Sequence, residues 1–377
     1  MTTELYIGLM SGTSIDSIDA VLLEVTKEHF QLLNHYCHDI PNDLKLRLDE
    51  LTTCNSYSID RIGETHQELG YLFAQAAMSL LEKSGKKSTE ISAIGSHGQT
   101  IRHRPPGTSP FPFSWQIGDA SVISLLTGIT TVADFRSKDI AAGGQGAPLA
   151  PIFHRAFFSS PNKSRAIINI GGISNLSKLD PNNELIGFDL GPGNRLMDAW
   201  CEMHQGKPFD ENGNWAKSGI VSESLLEKLL AHPFLSQPHP KSTGREEFNL
   251  DWLNAILEGF DEQTVFLPQD VQATLLEFTA TCIAKQTLEL FSPDEVFICG
   301  GGAFNTALMT RLSELFNVGV KSTADLGIDP QQVESAGFAW LAMRTMKNLT
   351  NNCPSVTGAT RDLVLGAIYP AAPRSPS

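Results

Sequence analysis

One aspartate occupies a position suited to general base catalysis. Asp189 ends a predicted strand in the string GFDLGPGN (187–194), where a Gly-Pro-Gly turn leads into a helix. A carboxylate at the end of a strand in an α/β protein can point into a cleft and accept a proton. A turn or a helix cap would use the same residue, and with 42 acidic residues in the chain the pattern alone leaves both readings open.

Two glycine-rich turns after predicted strands could bind phosphate. Gly300-Gly301-Gly302 follows the strand EVFIC and opens a helix at Asn305, an arrangement that aims backbone N–H groups at an anion. Gly171-Gly172 joins two strands and would let a ligand approach the backbone closely. A tight hairpin needs the same pair, whereas a simple strand-to-helix turn rarely needs three glycines. The triple glycine is therefore the more informative turn.

A third candidate phosphate loop lies near the N-terminus, in the string GTSIDSID (12–19). Hydroxyl and backbone N–H groups of such a hairpin can surround one anion, and Asp16 and Asp19 are suited to binding Mg²⁺ directly or through water. An ordinary hairpin turn has the same composition. The candidate ligand-binding residues of this loop are Gly12, Thr13, Ser14, Ile15, Asp16, Ser17, Ile18 and Asp19.

Two further polar residues follow predicted strands. His97 comes directly after the strand at 91–96, and Arg136 follows the strand that ends at Phe135. Sites of α/β proteins gather at strand ends. A single histidine is more often structural than catalytic, and Arg136 could instead pair with Asp139.

The elements that must position these residues form the same pattern twice. Strands at 5–9, 18–25 and 30–36 predict an antiparallel meander, followed by a helix at 58–83, a strand at 91–96, a helix at 120–126 and a strand at 129–135. A second meander at 166–171, 176–179 and 185–189 precedes helices at 194–202, 222–231 and 271–291, a strand at 295–299, and helices at 305–316 and 333–347. The tail from residue 351 to 377 is expected to be irregular. There is no residue-level repeat of fixed period.

Two α/β lobes with a nucleotide-binding cleft between them follow from this pattern. We expect a boundary near 134–144. One lobe then covers 1–135 and is joined by 336–377, and the second covers 136–335.

Composition limits the function classes. The 377 residues carry 28 Lys+Arg against 42 Asp+Glu, a net charge of −14, with 41% hydrophobic residues. This balance argues against nucleic-acid binding and against docking on anionic lipid, and the composition is that of a folded, soluble protein. The N-terminus does not resemble a signal peptide, and no apolar stretch approaches the roughly 20 residues that span a bilayer. Six scattered cysteines without a CxxC motif are expected to be reduced thiols of a cytoplasmic protein.

Several common catalytic signatures are missing from the sequence. It contains no GxxxxGK[ST] of P-loop NTPases, no HRD or DFG of protein kinases, and no GxSxG of α/β-hydrolases. The Gly191–Gly193 turn lacks the third glycine of the dinucleotide fingerprint, so NAD binding is a poor fit.

Several long strings together resemble one family, anhydro-N-acetylmuramic acid kinase of the sugar kinase, Hsp70 and actin superfamily. They occur in order from about residue 5 to 346. Ser17 stands where that family usually has glycine, which would be strained if the position required a positive φ. The strings are IGLMSGTSIDSIDAVL, GSHGQTIRHRP, QIGDASVIS, VADFRSKDIAAGGQGAPLAP, INIGGISN, GFDLGPGN, DVQATLLEFTA, CGGGAFN and VESAGFAWLA.

The resemblance implies a fold of two ribonuclease-H-like lobes with ATP and Mg²⁺ in the cleft between them. It implies that 12–19 and Gly171-Gly172 are phosphate loops, that 300–305 forms the adenosine-side turn, and that Asp189 is the catalytic base. His97, Arg136 and Glu334 match positions that line the sugar site. A cytoplasmic homodimer is also implied.

The implied reaction is 1,6-anhydro-N-acetylmuramic acid + ATP + water → N-acetylmuramic acid 6-phosphate + ADP, a step in peptidoglycan recycling. One carboxylate is sufficient, because O6 leaves onto the γ-phosphoryl group and needs no separate general acid. Two alternatives remain: a kinase of an ordinary sugar hydroxyl or acyl group, and a non-catalytic ATP-driven switch.

Overall fold

The computed structural model describes residues 3–12, 15–26, 29–53, 56–182, 185–239, 241–244, 247–261 and 263–371. Thr13 and Ser14 of the first candidate loop lie outside these ranges. The strands are β1 (Glu4–Ser11), β2 (Ser17–Val25), β3 (Phe30–Asp39), β4 (Ile91–Ser96), β5 (Gln99–Arg104), β6 (Phe113–Ile117), β7 (Thr131–Ala133), β8 (Arg165–Ile170), β9 (Ile173–Leu179), β10 (Leu185–Pro192), β11 (Glu295–Cys299), β12 (Val320–Ser322) and β13 (Ala367–Tyr369).

Helices alternate with these strands along most of the chain. Short 3₁₀ turns connect several of them. The helices are α1 (Asn42–Thr53), α2 (Ile59–Ser84), α3 (Ala120–Thr127), α4 (Ser137–Ala141), α5 (Ala150–Phe158), α6 (Arg195–Gln205), α7 (Glu223–Leu230), α8 (Leu250–Glu258), α9 (Pro268–Leu290), α10 (Thr306–Phe316), α11 (Val333–Met346) and α12 (Pro354–Thr357).

The chain forms two compact units, Met1–Phe153 with Gln332–Ser377, and His154–Gln331. The first division therefore falls after Phe153 rather than after residue 135, and the return falls before Gln332 rather than before 336. The segment after residue 135 stays with unit 1 because Asp139 is fully buried there. The Asp139 carboxylate accepts hydrogen bonds from the Gly146 N–H at 2.9 Å and from the Thr357 hydroxyl at 2.8 Å.

Unit 1 is built on a mixed sheet. Its strand order is β13-β7-β4-β1-β2-β3, with β1, β2 and β3 antiparallel and β4 and β7 added in parallel. Buried side chains of α2, among them Leu69 and Phe73, share one core with strand residues such as Ile7 and Leu22. The tail is not wholly irregular, because β13 pairs antiparallel with β7.

Helix α11 lies directly on β1 and β4. A Cβ atom at Gly8 would come within 1.8 Å of the Ser335 carbonyl oxygen, and one at Gly95 within 2.0 Å of the Phe338 carbonyl oxygen. Only glycine permits this approach. The contact fixes the first turn of α11, which carries Glu334.

Unit 2 repeats the arrangement. Its strand order is β10-β9-β8-β11-β12, again with three antiparallel strands followed by parallel ones. Helix α9 packs Leu275 and Phe278 into a core shared with Ile168, Leu176 and other strand residues. Both sheets thus have the ribonuclease-H-like strand order that the family resemblance implied.

Candidate active site

Asp189 lies on β10, the edge strand of the unit 2 sheet. Its neighbours Phe188 and Leu190 are in the hydrophobic core. Because side chains alternate along a strand, Asp189 points to the opposite face of the sheet. Asn175 of β9 pairs directly with it, and Asn169 of β8 pairs with Asn175, so three polar residues form a row across this face.

The Asp189 carboxyl is held by a distant segment of the chain. The Thr243 N–H donates to Asp189 Oδ2 at 3.0 Å. Burial raises the pKa of Asp189 to about 7, while the Thr243 N–H and the Lys241 ammonium act in the opposite direction. A carboxyl with a pKa near 7 is suited to accepting a proton at neutral pH.

The Gly171-Gly172 turn packs against the turn that follows Asp189. The Gly193 N–H donates to the Gly172 carbonyl at 3.0 Å, and the Asn194 N–H donates to the Gly171 carbonyl at 2.7 Å. Cβ atoms at Gly171 and Gly172 would meet nothing closer than 3.8 Å. The fold itself therefore does not require glycine at these two positions, which leaves room for a ligand beside the backbone.

Each glycine of the 300–302 turn has a different environment. Gly300 has φ 78°, and a Cβ there would lie 2.4 Å from Asn169 Oδ1. A Cβ at Gly302 would lie 2.4 Å from the Ile170 side chain, whereas one at Gly301 would meet only Asn194 Nδ2 at 3.3 Å. The turn opens a short 3₁₀ turn, Gly301–Phe304, and not α10 itself.

Asn305 is the N-cap of α10. Its Oδ1 accepts a hydrogen bond from the Leu308 N–H at 3.1 Å. The side chain therefore has a structural role, although the residue also borders the cavity described next.

A cavity of about 410 Å³ lies within unit 2 beside this turn. Phe209 and Phe304 line it with half-exposed rings, and Asp198 and Asp210 line it with carboxylates. Burial and the neighbouring Asp210 raise the pKa of Asp198 to about 7. Aromatic rings with nearby hydrogen-bond acceptors suit a planar base and its ribose. The lining residues are Asn194, Asp198, Phe209, Asp210, Glu211, Asn212, Gly301, Phe304, Asn305 and Gln331.

The described part of the 12–19 segment is a hairpin that returns directly into β2. Ile15 and Ile18 are fully buried in the core, so their side chains are not available to a ligand. Ile15 has φ 57°. Ser17 is the first residue of β2 and is not among the residues with positive φ, so the strain considered for Ser17 is absent.

Arg136 and His97 form one desolvated pair in unit 1. The His97 Nδ1–H donates to the Gly98 carbonyl at 2.9 Å, and His97 Nε2 accepts from Arg136 Nη2 at 3.0 Å. Burial and the Arg136 charge hold the pKa of His97 well below its usual range. Both ring nitrogens are occupied, so His97 orients Arg136 in this structure.

Arg136 does not pair with Asp139, the alternative that the sequence left open. Its Nη1 donates to the Gly146 carbonyl at 2.7 Å. Burial lowers the pKa of Arg136 to about 10. Among the described residues no carboxylate lies within ion-pair distance of it, which suits a guanidinium that receives an anionic or polar ligand.

Glu334 and Asp19 are further carboxyls of unit 1. Burial raises the pKa of Glu334, with Arg136 opposing and Asp19 reinforcing the shift. Burial likewise raises the pKa of Asp19. Asp16 differs from both, since it is exposed and pairs with Lys45.

Sequence reasoning missed Asp198, Gln331, Lys241 and Thr243. Asp198 lies four residues after Asn194 on α6, so helical spacing could have placed it beside the Gly-Pro-Gly turn. Nothing local connects Thr243 with Asp189, because their contact depends on the tertiary fold.

Two negative observations hold for the described ranges. No group of three or more His, Cys, Asp or Glu side chains there could hold a metal ion by itself. No helix there is long and apolar enough to cross a membrane.

The two ribonuclease-H-like sheets place the chain in the sugar kinase, Hsp70 and actin fold class. A family model described as anhydro-N-acetylmuramic acid kinase matches residues 4–371. The chain belongs to this family, and it is therefore an ATP-dependent sugar kinase.

Curated relatives agree with this assignment. "Anhydro-N-acetylmuramic acid kinase" of Photobacterium profundum is 47% identical over 380 residues, covering 98% of this chain and 100% of the relative. The protein of the same name from Pasteurella multocida is 48% identical, covering 98% of this chain and 97% of the relative.

A solved structure of a ROK family glucokinase from Streptomyces griseus, in complex with glucose and AMPPNP, is also similar. It shares 13% identity with a TM-score of 0.42, covering 90% of this chain and 99% of that one.

Proposed function

We propose that this protein uses ATP and water to convert 1,6-anhydro-N-acetylmuramic acid into N-acetylmuramic acid 6-phosphate and ADP, a step in the recycling of cell-wall peptidoglycan. Family membership over residues 4–371 supports the reaction class. The observation that carries the mechanism is the placement of Asp189, half-buried beside a bulge within β10 and with a pKa near 7.

Asp189 is the general base in this proposal. In the anhydro sugar O6 is bonded to C1, so no free 6-hydroxyl exists. Asp189 takes a proton from water as the water oxygen bonds to C1, the C1–O6 bond breaks, and O6 bonds to the γ-phosphorus of ATP as ADP leaves. Atoms and charge balance without a separate general acid.

The glycine turns and the unit 2 cavity serve ATP. Gly171, Gly172 and Gly301 leave space for phosphate oxygens beside backbone N–H groups, and the 410 Å³ cavity next to Gly301 takes the adenosine. Gly300, Gly302 and Asn305 shape this turn. In the 12–19 segment, the Gly12 backbone supports a further phosphate contact, while the Ile15 and Ile18 side chains are buried in the core. Thr13 and Ser14 stay sequence-based predictions for this contact.

In unit 1, Arg136 and Glu334 bind the sugar, and His97 holds Arg136. The Arg136 guanidinium is desolvated, and no carboxylate among the described residues lies at ion-pair distance from it. Both observations support this role for Arg136. His97 supports the sugar site through Arg136, because both of its ring nitrogens are engaged.

Mg²⁺ would neutralise the triphosphate and is held in kinases by one or two carboxylates together with substrate oxygens. Asp19 fits such a role better than Asp16, because Asp19 is a desolvated carboxyl next to Glu334, whereas Asp16 pairs with Lys45. We further propose a cytoplasmic homodimer, on the family resemblance alone.

The direct test is incubation with ATP, Mg²⁺ and anhydro-N-acetylmuramic acid, with the product read by mass. The proposal predicts N-acetylmuramic acid 6-phosphate from the native protein and loss of roughly a hundredfold or more in turnover for Asp189→Asn, with nearly unchanged ATP affinity. Preferential phosphorylation of free N-acetylmuramic acid would instead identify an ordinary sugar kinase. ATP binding without any phosphorylated sugar would favour a switch protein.

A further inference from the structure

A short segment of unit 2, Lys241–Thr243, lies against the edge strand that carries Asp189. The Asp189 N–H donates to the Lys241 carbonyl at 3.1 Å, and the Thr243 N–H donates to Asp189 Oδ2 at 3.0 Å. The segment thus holds both the backbone and one carboxylate oxygen of Asp189. Among the described residues no donor lies within hydrogen-bond distance of Asp189 Oδ1.

The Lys241 side chain fastens this segment to the body of unit 2. Its ammonium donates to the Phe234 and Leu235 carbonyls, each at 3.1 Å, and lies 4.7 Å from the centre of the Phe234 ring. Phe234 belongs to the buried core. With described carboxylates Lys241 forms no ion pair, so its contacts are those of an anchor.

Packing alone does not fix the segment on its other side. A cavity of about 220 Å³ is lined by Lys241, His239, Phe188 and Gln286, and the His239 ring stacks on the Phe188 ring with their centres 5.1 Å apart. Gln286 Oε1 is buried and has no hydrogen-bond partner in the described part of the chain. Because side chains do not fill this space, the Lys241 contacts add support to the segment where packing is incomplete.

We infer that Lys241 is a positioning residue for the base: its ammonium anchors the segment whose Thr243 N–H fixes one oxygen of Asp189, so that the other oxygen is presented to the water. This inference rests on the proposed role of Asp189. A base on an edge strand has no neighbouring strand on one side to restrict it, and a general base works only when its lone pair is aimed at the proton. Lys241 itself needs no contact with substrate.

Lys241→Met tests the anchor, with Lys228→Met as the matched control. Lys228 makes the same two kinds of contact elsewhere in unit 2, donating to the Gly259 carbonyl at 3.1 Å and lying 3.7 Å from the Phe260 ring centre. We expect Lys241→Met to lower kcat about tenfold, with less than about a twofold change in KM for ATP. Lys241→Arg, which keeps the positive charge, should retain part of the kcat that Lys241→Met loses. Lys228→Met should stay within about twofold of the native kcat. Native kcat in Lys241→Met would overturn the inference.

A backbone variant tests the Thr243 hydrogen bond even if Lys241→Met fails to fold. Replacing Thr243 by its α-hydroxy acid exchanges the N–H donor for an ester oxygen and keeps the side chain, and Thr243→Ala, which keeps the N–H, is the control. A donor to an ionised carboxylate lowers its pKa, so the analogue should raise the pKa of Asp189 and shift the acidic limb of the kcat profile upward by about half a pH unit or more. This variant leaves the other charged and titratable groups around Asp189 unchanged. These groups are Lys241 and, near the Lys241 ammonium, Cys282 and Glu289. An acidic limb of the kcat profile that does not shift in the α-hydroxy variant would overturn the inference.

Failure of the proposed function can be told apart from failure of this inference. Carbon-13 NMR of the Asp189 carboxyl reports its titration in the ligand-free protein, without any turnover. A raised Asp189 pKa in the α-hydroxy variant, measured by NMR, supports the Thr243–Asp189 hydrogen bond even if the anhydro sugar is not the substrate. An unchanged Asp189 pKa refutes this hydrogen bond.

Discussion

Asp189 combines two properties that its placement imposes together. Its side chain leaves the sheet on the face opposite the core, where it can meet a ligand, yet its surroundings desolvate it. Desolvation destabilises the charged form and therefore makes the carboxylate a stronger base. The Gly-Pro-Gly turn makes this residue a candidate from sequence, with a turn or cap role as the alternative, whereas its contacts with Lys241 and Thr243 depend on the tertiary structure.

At the residue scale we predict that kcat depends on ionisation of Asp189. Its pKa is raised from an ordinary 3.8 to about 7, so the base is protonated and inactive near pH 5 and ionised near pH 8. The rate should fall about tenfold for each pH unit below the pKa. A pH profile of kcat at saturating ATP and sugar measures this, and a flat profile across that range would contradict it.

The same shift predicts a stability effect of opposite sign. Because the folded pKa lies above the unfolded pKa, the folded state binds more protons between about pH 4 and pH 7. The stabilisation from protonated Asp189 is therefore present below that window and lost as the pH rises through about 7. Asp189→Asn should raise the Tm near pH 8 and change it less near pH 5, as thermal unfolding at both values would show. An equal change at the two values would contradict this.

At the element scale, long and strongly patterned segments were predictable and short ones were not. The strands at 91–96 and 295–299 match β4 and β11, and the helices at 58–83 and 333–347 match α2 and α11 to within a residue at each end. The pairing of β13 with β7 was missed because three residues carry no readable period and depend on tertiary contacts.

The triple-glycine turn allows a paired prediction at this scale. Gly302→Ala places a Cβ 2.4 Å from the Ile170 side chain, so it should cost about 1–3 kcal/mol of stability by overpacking. Gly301→Val has more room within the fold but narrows the cavity next to it. We expect Gly301→Val to weaken ATP binding about tenfold or more with little change in Tm. Calorimetric titration and thermal unfolding of both variants separate the two effects, and unchanged ATP affinity in Gly301→Val would remove this turn from the nucleotide site.

At the scale of the whole molecule, the division into two units was expected but its borders were misplaced. A polar string such as DFRSKDIAAGGQG resembles a linker, yet Asp139 within it is fully buried and binds groups from the C-terminal part of the chain. Asn352 Nδ2 adds a third contact to Asp139 at 3.4 Å. Contacts between residues so far apart along the chain leave no local trace in the sequence.

Asp139→Ala should therefore loosen unit 1 and leave unit 2 intact. The substitution leaves the buried donors that Asp139 satisfies without a hydrogen-bond partner. This should lower the free energy of unfolding by about 3 kcal/mol. Hydrogen exchange should accelerate at amides of 351–371 and remain unchanged in the unit 2 sheet, with the exposed Asp60→Ala as control. Equal acceleration in both units would contradict this account of the fold.

In the proposed reaction, water attacks C1 while O6 receives the phosphoryl group. The most direct measurement is a short reaction with ATP and anhydro-N-acetylmuramic acid in ¹⁸O-labelled water, with purified product incubated alone in the same water to correct for exchange at C1. Attack of water on C1 predicts one ¹⁸O atom on C1 of N-acetylmuramic acid 6-phosphate and none in the phosphoryl group. A phosphorylated sugar that keeps its anhydro ring, or a product without label at C1, would contradict it.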